Sequence, residues 1–179
     1  MGKKVILVGA NPAVLLQHGG DPSAFASLWR VEWSERGSGD ALILCHAHRV
    51  RVLGPDPEFG LWLAETFVRH FPEASGFEWP DPILEKAEPE IWLDPGRGLT
   101  ASVSDITLEL ADILDRRLFH TDRLELGGVE YGLTHVYAPC ARAHLTVGRA
   151  TVPGVPICHS DEAGPVSSAF LAVAETWCR

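Results

Sequence analysis

Alternation of apolar and polar positions runs through most of this chain and marks out strands. Residues 4–8 form a short apolar run of the kind that makes a buried strand. Residues 28–34 (LWRVEWS) alternate, and the RGSGD stretch at 36–40 reads as a hairpin-type turn. Residues 41–53 follow as one long strand, or as a hairpin pivoting near His46–His48. Further on, Ile106, Leu108 and Leu110 alternate with Thr107 and Glu109. Segments 117–126 and 129–137 flank Gly127-Gly128, a two-residue hairpin signal. Segments 141–147 and 150–152 flank a second such turn at Gly148-Arg149, and residues 167–177 close the chain with a long alternating stretch.

The period changes once. Over 56–71 the pattern predicts an amphipathic helix: Asp56 can cap it, Pro57 suits its first position, and Glu58 sits at the positive end of its dipole. Phe59, Leu63, Phe67 and Phe71 recur at every fourth residue, and Trp62 and Val68 broaden the stripe. Glu65 and Arg69 are spaced to pair, Arg69 and His70 complement the C-terminal end, and Pro72 stops the helix. Residues 72–98 carry prolines at 72, 80, 82, 89 and 95 and little periodicity. They read as a surface belt pinned by Trp79 and Trp92, and any weak division of the chain falls there. The expected fold is mainly β (α+β), an antiparallel β-barrel or sandwich of about 8–10 strands with one prominent helix, in a single domain over 1–179.

Composition narrows the function classes. With 46% hydrophobic residues in 179, the chain can build a sizeable core. A net charge of −9 argues against a nucleic-acid backbone or an anionic membrane as principal partner. No apolar run approaches the ~20 residues of a membrane span. The four cysteines show no CxxC or other ligand spacing, so reduced thiols and a cytoplasmic location are expected. The GANPA stretch after the first strand lacks both glycine patterns of phosphate-binding loops. No GxSxG elbow, Ser-His-Asp set or catalytic carboxylate pair can be assigned, and Cys45 and His46 point to opposite faces of a strand.

The candidate chemistry lies in the histidines. If Gly127-Gly128 closes a regular two-residue loop, counting back places His120 opposite His135. That face also carries Leu118, Leu124, Leu126, Tyr131, Leu133 and Tyr137. His46 and His48 occupy one face of their strand with Leu42, Leu44, Val50 and Val52. Neutral imidazoles paired on apolar strand faces are suitable ligands for a divalent transition metal. The Gly39, His46, His48 arrangement resembles the first motif of the cupins, metal-binding β-barrels. Arg51 and Val52 stand where that family carries a carboxylate, and no second motif follows. Ser27 stands where the lipocalin Gly-x-Trp would need glycine before Trp29.

Each histidine alone is more often a hydrogen-bonded core residue than a ligand. Together they support three readings. One is binding of a small, largely apolar molecule in an interior pocket, with His120, His135, Tyr131, Tyr137, His46 and His48 as contacts. Another is a metal-dependent or acid/base enzyme using His46, His48, His120 and His135. The last is a structural or homodimeric interaction module. Whether the chain is an enzyme is left open by its sequence.

Overall fold

A computed structural model describes residues 2–179. The chain begins with β1 (Val5–Ala10), β2 (Ala13–His18), the long β3 (Asp21–Ser34), β4 (Gly39–His46) and β5 (Arg49–Gly54). Helix α1 (Pro57–Thr66) and two 3-10 turns, Val68–His70 and Pro72–Ala74, follow. Then come β6 (Ile83–Lys86), β7 (Glu90–Asp94), β8 (Gly98–Val103), β9 (Ile106–Ile113), β10 (Arg117–Leu126) and β11 (Val129–Val147). Short β12 (Ala150–Thr151), β13 (Val155–Pro156), β14 (Cys158–Asp161) and β15 (Gly164–Ser167) lead to the closing β16 (Ala169–Cys178).

Fourteen strands form one open sheet whose main path is β6-β5-β4-β3-β1-β16-β11-β9-β8-β7, while β14 and β15 make a separate hairpin. The pairing is antiparallel except for β5 with β6, which the intervening helix makes parallel. The 19-residue β11 carries the sheet round a corner. Its first part pairs with β10 and β16, and from Cys140 onward it pairs with β9. The molecule is therefore layered: helix, first sheet layer, second sheet layer.

Side-chain phase follows from that layering. In β3, Phe25, Trp29 and Val31 face the helix, whereas Ala24, Ala26 and Leu28 face the second layer. In β4 the division is Ala41, Ile43 and Cys45 against Leu42 and Leu44. A sheet buried on both faces needs apolar residues at both parities, which is why residues 41–45 read as a continuous apolar run. Leu99, Val103, Ile106, Leu108, Leu110 and Leu145 meet the second face.

The helix begins as expected. Asp56 has extended backbone, and its Oδ1 accepts a hydrogen bond from the Phe59 N–H at 3.2 Å. Gly60 lets it lie flat on the sheet, since a Cβ there would come within 2.7 Å of Val52 Cγ1. Regular α geometry stops at Thr66, short of the expected 71, and the chain tightens into 3-10 turns. Phe71 before Pro72 is extended (φ −65°, ψ 142°), as a residue preceding proline favours. Arg69 and His70 consequently lie in a 3-10 turn rather than in the last helical turn. The apolar stripe is kept: Phe67 contacts Trp29, Trp62, Tyr131 and Trp177, with ring centroids 4.8–5.7 Å apart.

The β-rich class with one mid-chain helix is thus the fold observed. The strands exceed the expected number because several two- to four-residue pieces in the second half carry no periodicity long enough to read. The belt is only partly featureless, since it contains β6 and β7. Trp79 does pin it, its Nε1 donating to Glu65 Oε1 at 3.1 Å, while Trp92 stays half exposed at 50%. The GANPA stretch joins β1 to β2 with no helix after it; Asn11 Nδ2 donates to Ser27 Oγ and the Leu28 carbonyl. All four cysteines are free thiols, and burial pushes Cys45 and Cys140 up to about 12. No helix among the described residues is long and apolar enough to cross a membrane.

Phe67 links helix, sheet and aromatic cluster. Phe67→Ala is expected to cost about 3–5 kcal/mol in urea unfolding, against under about 0.5 kcal/mol for Leu118→Ala on the exposed part of β10.

Candidate functional site

The Gly127-Gly128 turn forms as expected. Both glycines are left-handed (φ 58° and 79°), and Leu126–Val129, Glu125–Glu130 and Leu124–Tyr131 pair in register. Gly127 also packs against the His70 ring, which a Cβ would strike at 2.7 Å. Beyond Leu124 the ladder slips. A bulge at Asp122-Arg123 restores pairing at Thr121–Leu133, so His120 faces Thr134 and Phe119 faces His135. The expected His120–His135 pair is therefore not formed, because one bulge inverts the phase of everything before it. His120 turns outward, its Nδ1 2.7 Å from Thr134 Oγ1 and its Nε2 3.4 Å from Asp122. His135 turns inward, 8% exposed, with its ring centroid 5.0 Å from that of Phe119.

A second bulge sets what His135 meets. β11 and β16 pair at Thr134–Thr176 and again at Val136–Val173, leaving His135 opposite both Ala174 and Glu175. Ala174 absorbs the extra residue in the left-handed region (φ 49°), an uncommon conformation for a residue with a Cβ. Before this point Leu171 and Val173 face the second layer. After it Glu175 and Trp177 point to the helical layer, alongside Phe170 and Ala172. A carboxyl is thereby delivered into an apolar interior.

The space there is a cavity of about 220 Å³ under the 3-10 segment, between β2, β10, β11 and β16. Its walls are mainly apolar: Phe25, Phe71, Phe119, Leu126, Leu133, Phe170 and Trp177 among them. Its polar groups are Asn11, Glu73, His135 and Glu175. Glu175 is 3% exposed, and its Oε1 accepts from Trp177 Nε1 at 2.5 Å. Burial pushes its carboxyl from 4.5 up to about 8, with the Trp177 hydrogen bond opposing. Burial likewise raises Glu73 and lowers His135, where the Val136 backbone opposes in part. His135 Nδ1 is buried without a hydrogen-bond partner. At neutral pH the cavity thus holds a protonated acid beside an uncharged imidazole. Buried polar groups left unsatisfied are uncommon, and this nitrogen is sealed from solvent.

An adjoining cavity of about 530 Å³ shares Glu73, Phe119, His135 and Phe170 and adds His120, Arg117 and Tyr137 at its walls. Arg117 is held by Asp115 at 2.8 Å and by the Pro165 carbonyl at 2.7 Å, over the Tyr137 ring. The Tyr137 hydroxyl donates to the Ser167 carbonyl and accepts from its N–H, both at 3.1 Å. Tyr131 is buried in the aromatic cluster, edge-on to Trp177.

His46 and His48 lie elsewhere, at the β4–β5 turn. Ala47 and His48 are its two left-handed residues (φ 50° and 59°), so the segment is the hairpin rather than one continuous strand. His48 is exposed, 3.4 Å from Glu78, and His46 is partly buried, lowered by burial and by Arg51. The four histidines do not converge. Among the described residues no three His, Cys, Asp or Glu side chains are grouped to hold a metal ion. The turn geometry also removes the strand face on which the cupin-like motif would depend.

Glu175 and Glu73 were missed by the sequence reading. Glu175 did leave a trace: it shares its parity with Leu171, Val173 and Trp177. A lone acid at an apolar-parity position signals either a buried carboxyl or a change of phase, and here both hold. Glu73, in a one-turn 3-10 segment, leaves none.

The two shifts have opposite consequences for stability. Glu175 binds its proton more tightly folded than unfolded, so its contribution is lost as pH climbs from 4.5 to about 8, on the order of 5 kcal/mol in all. His135 works the other way, costing stability as pH falls below its ordinary 6.5. Glu175→Gln keeps an acceptor for Trp177 and is expected to raise stability at pH 8 while flattening its decline above pH 5. Urea unfolding across that range measures both.

No protein-family model and no curated protein matches the chain. Among solved structures, the acetoacetate decarboxylase of Legionella pneumophila is similar over 98% of this chain and 83% of its own, with 8% identity and a TM-score of 0.34. That overlap is too loose to carry anything of that protein to this one.

Proposed function

We propose that this protein binds a small, largely apolar molecule in the cavity bounded by His135, Glu175 and Trp177. The observation that carries the reading is a buried carboxyl and a buried imidazole lining one aromatic-walled space. Apolar walls with a few convergent polar groups are the usual form of a small-molecule site. A volume of about 220 Å³ suits a single ring with a short substituent, since an apolar cavity of about 150 Å³ takes up benzene. Of the residues singled out from sequence, His135 is the contact. Tyr137 and His120 border the adjoining cavity, through which a ligand would enter. Tyr131 acts from behind by fixing the Trp177 ring.

Toluene serves as the apolar probe. At a concentration ten times its Kd it is expected to stabilise the protein by about 1.4 kcal/mol, read as a rise in Tm. Ala172→Phe, which fills the cavity from its β16 wall, is expected to abolish the rise. Equal stabilisation of both proteins, or of neither, contradicts the reading.

A further inference from the structure

The cavity contains carboxyls and aromatic rings, and the basic group in its lining is the imidazole of His135. Glu175 and Glu73 both line it, no Lys or Arg does, and Phe25, Phe71, Phe119, Phe170 and Trp177 present ring surface to it. Glu175 has one protein donor, the neutral indole N–H of Trp177. A buried carboxylate is ordinarily held by two or three donors or by a cation, so the protein alone leaves the ionised form of this group under-stabilised. His135, 8% exposed, lines the same space.

We infer that the occupant is a small organic cation, an ammonium carried on a group about the size of one ring, with its charge between Glu175 and the aromatic walls. The inference rests on the reading of this cavity as a ligand site and specifies its chemistry. A cation over aromatic faces gains from the ring quadrupoles, most where water is excluded. Its charge supplies what the Trp177 donor leaves unmet on Glu175. An anion meets two acids and no counter-charge. An uncharged ligand leaves Glu175 protonated and gains nothing from Glu73. The overall charge of −9 also draws cations toward the protein.

Binding is then an exchange of charges. The Glu175 carboxylic acid releases its proton to solvent as the ammonium enters, leaving a carboxylate–ammonium pair. The titratable groups facing Glu175 are His135 from β11 and Glu73 from the 3-10 turn. The cavity residues from β2, β3 and β10 are uncharged: Ala13, Phe25, Phe119, Leu124 and Leu126. Protonation of His135 would repel the cation, so it acts in the same direction as protonation of Glu175. Affinity therefore rises with pH and levels off above about 8.

Calorimetric titration with benzyltrimethylammonium, benzyl alcohol, toluene and phenylacetate tests this, because the quaternary probe does not itself titrate. At pH 8.5 the cation is expected to bind about tenfold or more tighter than benzyl alcohol, with phenylacetate weakest. Its affinity is expected to fall about tenfold per pH unit below 8. Glu175→Gln is expected to erase the preference for the cation and most of the pH slope. Should that variant fail to fold, the slope in the wild-type protein decides. Equal or tighter binding of benzyl alcohol, or a pH-independent cation affinity, overturns the inference while leaving the cavity a ligand site. Binding of none of the probes overturns both.

Discussion

β16 carries one residue more than its ladder with β11 can pair. Ala174 takes up the excess in a left-handed conformation, and everything after it changes face. Without that bulge, Glu175 and Trp177 would continue the parity of Leu171 and Val173 into the apolar second-layer core. With it, Trp177 completes the aromatic cluster around Phe67 and Glu175 reaches a cavity whose walls come from both the sheet and the 3-10 segment. On the neighbouring strand β1, Gly9 pairs with Glu175 and also lies close against β3, where a Cβ would strike the Arg30 carbonyl oxygen. The left-handed alanine costs about 1–2 kcal/mol, and it persists because the core on either side fixes the phase of both halves of the strand.

That geometry sets the electrostatics. A carboxyl in this place cannot ionise cheaply, since burial removes its hydration and the protein returns a single neutral donor. The neighbouring imidazole meets the same condition with the opposite sign and stays uncharged. Two groups whose ordinary values lie on either side of pH 5–6 are thus driven past one another by the same burial.

How much of this could be read in advance depends on where the ladder is regular. The Gly127-Gly128 and Gly148-Arg149 turns, the β3–β4 turn and the capped start of the helix rest on local backbone chemistry, and each is found where the residues put it. The histidine pair rests on counting back along β10 from Leu126 to His120, and the bulge at Asp122-Arg123 defeats the count. His46-Ala47-His48 fails differently. The hairpin was one of its two readings, but nothing in alanine or histidine announces a left-handed turn, which glycine or asparagine would have done. Bulges and unusual left-handed residues are stabilised by packing from distant strands, so their positions are not encoded locally.

The central claim is that Glu175 is a buried acid, protonated at neutral pH, in the cavity beside His135. NMR of protein labelled with ¹³C at the glutamate side-chain carboxyls, assigned by comparison with Glu175→Gln, measures it directly. One carboxyl resonance is predicted to titrate with a midpoint near 8 and to be missing from the variant. A Glu175 resonance titrating in the ordinary range around 4.5, alongside the surface glutamates, would contradict the account.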